Sequence, residues 1–239
     1  MFKKLALFYL LPLLFWGCSE EIIPVTNDSG RSYYPVAIGD YWIYDVAETK
    51  YIRKLNTQPG DSITYQMRER VDTIYQDQTN QLTYKIIRSR RANASQPWGA
   101  DSVVTVNKSN TNLQVTRNNL RTINLIFPVA EGKKWNGNAF NFKSDGEEEF
   151  SYQNTGSPFT VRDTTFANTI TVVQYSNENL INLNDRQEIY AAGVGLIYKK
   201  NIDYEYCNSG STQSCEIGKG FILYGKKRIQ KIRSFSIKN

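Results

Sequence analysis

From Ile63 to Tyr75 the chain alternates. Ile63, Tyr65, Met67, Glu69, Val71, Thr73 and Tyr75 share one parity, while Thr64, Gln66, Arg68, Arg70, Asp72 and Ile74 take the other. Successive side chains of a strand point to opposite faces, so this order sets a mostly apolar row against a core and a mostly polar row against water. A helix cannot use such a pattern, because its buried residues must recur every three or four positions. The same alternation returns in Leu82-Tyr84-Ile86, Leu113-Val115, Ile123-Leu125-Phe127 and Val194-Leu196-Tyr198. Turn signals punctuate it at Gln58-Pro59-Gly60-Asp61, Asn136-Gly137-Asn138 and Thr155-Gly156-Ser157-Pro158. Sixteen tyrosines suit half-buried pleated surfaces. Only Glu178–Tyr190 suggests a short helix. The predicted class is therefore all-β with minor α, an antiparallel meander curling into a barrel, half-barrel or sandwich.

One segment occurs twice. Tyr34-Pro35-Val36-Ala37-Ile38-Gly39-Asp40-Tyr41-Trp42 is echoed 93 residues later by Phe127-Pro128-Val129-Ala130-Glu131-Gly132-Lys133-Lys134-Trp135. Proline holds the preceding aromatic residue in extended conformation, glycine permits a turn with positive φ, and the tryptophan then starts a strand. Two roles suit Trp42 and Trp135: a buried plug over one end of the sheet, or an aromatic platform for stacking sugars.

The first seventeen residues have the parts of an export leader. Lys3 and Lys4 precede an apolar run from Leu5 to Trp16, which contains Pro12, and Gly17 precedes Cys18. The run is too short for a bilayer span, which takes about 20 residues. Leu13-Leu14-Phe15-Trp16-Gly17-Cys18 resembles a bacterial lipobox, which implies lipid on Cys18 and a membrane partner through that anchor. Ser19, Glu20 and Glu21 resemble the acidic signal that sends Bacteroidota lipoproteins to the cell surface. The repeated Pro/Gly/Trp motif and Gly193-Val194-Gly195-Leu196 also resemble features of Bacteroidota outer-membrane lipoproteins. That likeness implies a location and no particular activity; at fold level it extends to the open half-barrels of envelope lipid- or lipoprotein-handling proteins. The expected organisation is a leader over 1–17, a lipidated cysteine and flexible tether over 18–32, and one β-rich domain over 33–239.

Composition limits the chemistry. Removing the two leader lysines from a formal charge of +6 leaves +4, spread along the chain. Lys226, Lys227, Arg228, Lys231 and Arg233 form the densest basic stretch, but Ile229, Ile232, Phe235 and Ile237 interleave them as in a strand with one solvated face. No concentrated stripe points to nucleic acid. With Cys18 lipidated, Cys207 and Cys215 remain to pair in an oxidising envelope. There is no histidine, so histidine-based triads are excluded, and two thiolates cannot close a zinc shell. No metal or cofactor is expected. Glu147-Glu148-Glu149 reads as a solvated turn more readily than as a calcium site. Asp61-Ser62, Asp72-Thr73, Asp101-Ser102 and Asp163-Thr164, each followed by an apolar residue or threonine, resemble the Bacteroidota O-glycosylation signal, which implicates Ser62, Thr73, Ser102 and Thr164.

The expected function is non-catalytic binding of a glycan, lipid or partner protein in the envelope. A lipid or lipoprotein carrier, or an outer-membrane assembly factor, is the alternative, and a glycan-active enzyme ranks below both. Replacing Cys18 with Ala should release the protein from membranes or leave its precursor uncut on an immunoblot of cell fractions. Mature-sized protein still held in the membrane would contradict lipidation.

Overall fold

A computed structural model describes residues 29–52, 61–141, 147–208 and 215–238. Cys18, Ser19, Glu20, Glu21 and most of the expected turn at 58–61 lie outside the described residues. The strands are β1 (Tyr41–Tyr51), β2 (Asp61–Gln76), β3 (Leu82–Arg91), β4 (Gly99–Lys108), β5 (Asn112–Arg117) and β6 (Leu120–Ile126). They continue as β7 (Lys134–Asn136), β8 (Glu149–Val161), β9 (Thr164–Glu178), β10 (Asn182–Ala191), β11 (Gly195–Tyr206) and β12 (Ile222–Ser236). All twelve join one antiparallel sheet in the order β6-β5-β4-β3-β2-β1-β12-β11-β10-β9-β8-β7. Apart from β6 and β7, which form the two edges, each strand pairs with its neighbours in sequence, and β1 pairs with β12, so the meander curls into a nearly closed barrel.

The two copies of the repeated segment open the two halves of this barrel, β1–β6 and β7–β12, in the same way. Asp40 N–H donates to Ala37 O at 3.1 Å, and Lys133 N–H to Ala130 O at 3.2 Å. Gly39 N–H reaches Val71 O of β2 at 3.0 Å, and Val71 N–H returns to Asp40 O at 2.9 Å. Gly132 N–H and Tyr152 O of β8, then Tyr152 N–H and Lys133 O, repeat that exchange at 3.0 Å each. Gly39 and Gly132 have φ of 89° and 72°, which a Cβ would strain. The recurrence in sequence is therefore a recurrence of backbone geometry.

The edges β6 and β7 meet at a seam closed largely by side chains. The Tyr152 hydroxyl accepts from Ile126 N–H and donates to Ile126 O, both at 2.8 Å, standing in for a strand. Trp135 Nε1 donates to Ile123 O at 2.8 Å, and Ile123 N–H to Gly137 O at 2.9 Å. A Cβ on Gly137 would lie 2.4 Å from the Phe150 ring, so the Asn-Gly-Asn turn also permits a close approach. Without the Tyr152 hydroxyl, two backbone groups would lose their partners, at about 1–3 kcal/mol for each that stayed dry.

The interior is filled. Trp42, Tyr44, Met67, Leu113, Leu125, Tyr152, Tyr190 and Ile197 are each 2% exposed or less. Trp42 connects the first motif to the glycine-rich turn before β11: its indole donates to Val194 O at 2.6 Å, and its ring stacks on Tyr34.

Three expectations change. Asn182–Ala191 is a strand, not part of a helix, because Arg186, Glu188 and Tyr190 alternate inward and the Asn179 side chain caps the preceding turn. Thr155–Pro158 does not end a strand; it bends β8, with Gly156 at φ 76° and Glu131 accepting from the Asn154 and Thr155 amides. Beyond the bend the β8–β9 hairpin crosses the outside of the barrel, where Phe159 meets Tyr198, Phe166 meets Phe235 and Arg162 pairs with Asp45. Residues 29–32 are docked rather than free tether, since Val129 N–H donates to Ser29 O and Gly193 N–H to Ser32 O.

Candidate functional site

Antiparallel hairpins alternate between the two barrel ends. Residues 29–40 and the 127–133 segment lie at one end, and the β5–β6, β9–β10 and β11–β12 connections at the other. Midway along the barrel, between these ends, several inward-facing positions are charged. Register places Glu69 of β2 opposite Arg88 of β3, and Glu188 of β10 opposite Lys199 of β11. Opposite charges on facing strand positions attract, and both pairs close, Arg88 Nε to Glu69 Oε1 at 2.8 Å and Lys199 Nζ to Glu188 Oε1 at 2.5 Å.

Glu188 is fully buried and more heavily bonded than the others. Its second oxygen accepts from Asn124 Nδ2 at 3.0 Å and from the Tyr190 hydroxyl. Burial would raise its pKa; Lys199 and Arg117, with the Lys199 and Tyr190 hydrogen bonds, outweigh burial and bring it down to about 2. Glu69 is likewise lowered: burial opposes the charge, but Arg88 and Arg117 prevail. A third pair, Arg186 with Glu148 at 3.2 Å, borders the cluster.

Arg117 is different. It ends β5, ahead of a turn in which Asn118 and Asn119 have φ of 50° and 62°, the left-handed geometry that tight hairpins require. Its guanidinium makes no hydrogen bond or ion pair with any described residue, and its Nε is buried without a partner. Burial works against its charge, yet Glu69 and Glu188 overcome that and hold it more firmly protonated than usual.

These groups border a cleft of about 310 Å³. Arg117, Arg186 and Lys199 supply cations, Asn124, Asn138 and Gln174 supply amides, Glu148 and Glu188 supply carboxylates, and Phe150 supplies an apolar wall. Its size falls at the small end of the small-molecule range. Grooves of about 560 and 730 Å³ run elsewhere along β1, β2 and β12. They are bigger. Asp45, Lys227 and Lys231 in the first belong to the outward row of their strands. The second opens at the far end of the barrel among Glu48, Lys50, Ile63, Tyr224, Lys226 and Arg228, where Glu48 and Arg228 already pair. The smaller cleft is set apart by Arg117, whose Nε is buried without a partner and which no carboxylate among the described residues pairs.

The residues singled out in the sequence lie apart from this cleft, with Glu148 as the exception. Cys207 and Cys215 form the expected disulfide. Trp42 is 2% exposed, so burial leaves it no face for a sugar. Trp135 is half-buried between Phe150 and Tyr152, at the seam. These contacts suit the plug role and overturn the platform for Trp42. Glu148, just before β8, and Glu149, its first residue, diverge, one to Arg186 and the other to Lys134 at 2.7 Å. Ser62, Thr73 and Thr164 are exposed and Ser102 is half-buried. The Thr73 and Ser102 hydroxyls each bond the preceding aspartate at 3.0 Å. The cleft residues escaped notice because charged inward positions look like a wet face; Glu69, alone in an apolar row, was the visible sign.

Comparison with protein-family models, curated proteins and solved structures finds no match. The all-β barrel and the charged cleft therefore stand on the structure by itself.

A depressed carboxylate pKa stabilises the fold above the unfolded-state pKa, and that stability is lost as pH falls through the folded value. For Glu188 the window runs from 4.5 down to about 2, and the loss is on the order of 3 kcal/mol. Urea denaturation across this range should show wild type losing stability more steeply than Glu188→Gln. Equal slopes would contradict the ionised, paired state of Glu188.

Proposed function

We propose that this protein is a lipid-anchored outer-membrane lipoprotein, displayed at the cell surface, that binds a small polar ligand of the glycan class without transforming it. The cleft beside Arg117 carries this reading. Amides and charged groups that donate and accept in fixed directions, beside one aromatic wall, suit a ring bearing several hydroxyls. The first described residues sit at the opposite end of the barrel. An anchor at Cys18 would therefore leave the cleft facing away from the membrane.

An acyl-chain carrier needs a deep apolar cavity. Here Tyr44, Leu113, Tyr152 and Ile197 fill the middle of the lumen, and only the mouth around Ile63 and Tyr224 stays open, which favours glycan binding over carriage. The state of the carboxylates favours binding over hydrolysis. Glycosidases pair a carboxylate with a carboxylic acid of raised pKa, whereas Glu188 is lowered and held by Lys199. Exposed Ser62, Thr73 and Thr164 remain candidates for sugar attachment on the outer surface.

The purified protein should bind members of a glycan array and take up no fluorescent fatty acid. Fatty-acid uptake without glycan binding would reverse the assignment in favour of the carrier.

A further inference from the structure

Most charges in the barrel interior have an opposite partner. Glu69 holds Arg88, Glu188 holds Lys199, and Glu148 holds Arg186. Toward β12, Glu48 and Arg228 pair at 2.9 Å. Arg117 is left over: its charge sits in the fields of Glu69 and Glu188, whose Oε1 atoms are engaged by Arg88 and Lys199. Among the described residues the cleft therefore carries one positive charge more than its carboxylates balance, and the surplus is a guanidinium with unused donors.

A buried donor left without an acceptor costs free energy, and for a charged group the cost is greater. A ligand that supplied one negative charge and two coplanar oxygens would meet both needs, since guanidinium and carboxylate match in a bidentate pair. Phosphate monoesters fit less well, because at neutral pH they bring close to two charges and the cleft has one to offset. Around Arg117, Gln174 and the Asn138 amide provide partners for the rest of a polar molecule, while Thr122 is bonded to Asn124 and Asn124 to Glu188, so that these form a fixed wall.

We propose that the cleft selects sugars bearing a single carboxylate, the uronic-acid class, and that Arg117 is the group that receives this carboxylate. This rests on the glycan reading above and adds the charge of the ligand and the residue that reads it.

The test compares molecules of nearly equal shape and different charge. Glucuronate, galacturonate and their uncharged amides are titrated into the purified protein by calorimetry at low salt. At least one uronate should bind about ten- to a hundredfold more tightly than its amide, the range expected of a charge-assisted pair in a partly dry site. Arg117→Gln should bring acid and amide to similar affinities, while Arg117→Lys should keep part of the preference. The comparison on wild-type protein needs no variant, so it holds even if Arg117→Gln folds poorly. Equal binding of acid and amide by wild type would overturn charge selection and leave the glycan cleft standing. Preference for the acid that survives in folded Arg117→Gln would overturn the role of Arg117. Failure of every sugar acid and amide, together with a blank glycan array, would overturn both readings.

Discussion

A ring of twelve strands encloses more space than small side chains can fill. Eight strands leave an interior that side chains just occupy, and the diameter grows with each added strand. This protein meets the requirement with large residues, among them Trp42, Tyr44, Tyr152 and Tyr190, all almost wholly buried. Directly below that aromatic plug it fills space with long charged side chains instead. Buried ions are tolerable when paired and hydrogen-bonded, and cross-strand register supplies the pairing, with Glu69 facing Arg88 and Glu188 facing Lys199. The lumen thus grades from an aromatic plug into an ionic layer, and the cleft is where that layer reaches solvent.

The repeated segment explains how the ring begins and closes. Each copy makes a glycine turn, exchanges two backbone hydrogen bonds with the next long strand, and delivers a tryptophan to the start of a strand. The copies then diverge in use. Trp42 lies under the glycine-rich turn before β11, whereas Trp135 donates across the seam to Ile123 O. Tyr152, which exchanges bonds with the second copy, also holds the far edge through its hydroxyl. Because β7 is only three residues long, a backbone ladder alone would leave much of β6 exposed as an unpaired edge.

Strands were legible in the sequence wherever an apolar row met a polar one, as in β2. They were illegible where the inward row is itself charged. In β10, Arg186 and Glu188 face the interior, and their polarity hid the period of two that would have excluded a helix. The bend at Thr155–Pro158 was misread for a different reason: glycine and proline mark a turn and a kinked strand alike, and only the carboxylate of Glu131 beneath the bend distinguishes them. The cysteine pair was legible because two thiols remained in a chain read as exported. Arg117 was not, since its significance is a shortage of partners, and partners come from strands distant in sequence.

Function in this protein is thus proposed at the place where the packing rules are least completely met. A crystal structure of the protein grown with glucuronate would examine that place directly. The carboxylate should lie within about 3 Å of the terminal nitrogens of Arg117 in a two-pronged pair, with the sugar ring against Phe150. Glucuronate found only in the grooves along β1, β2 and β12, or a cleft closed by new side-chain partners to Arg117, would contradict the assignment.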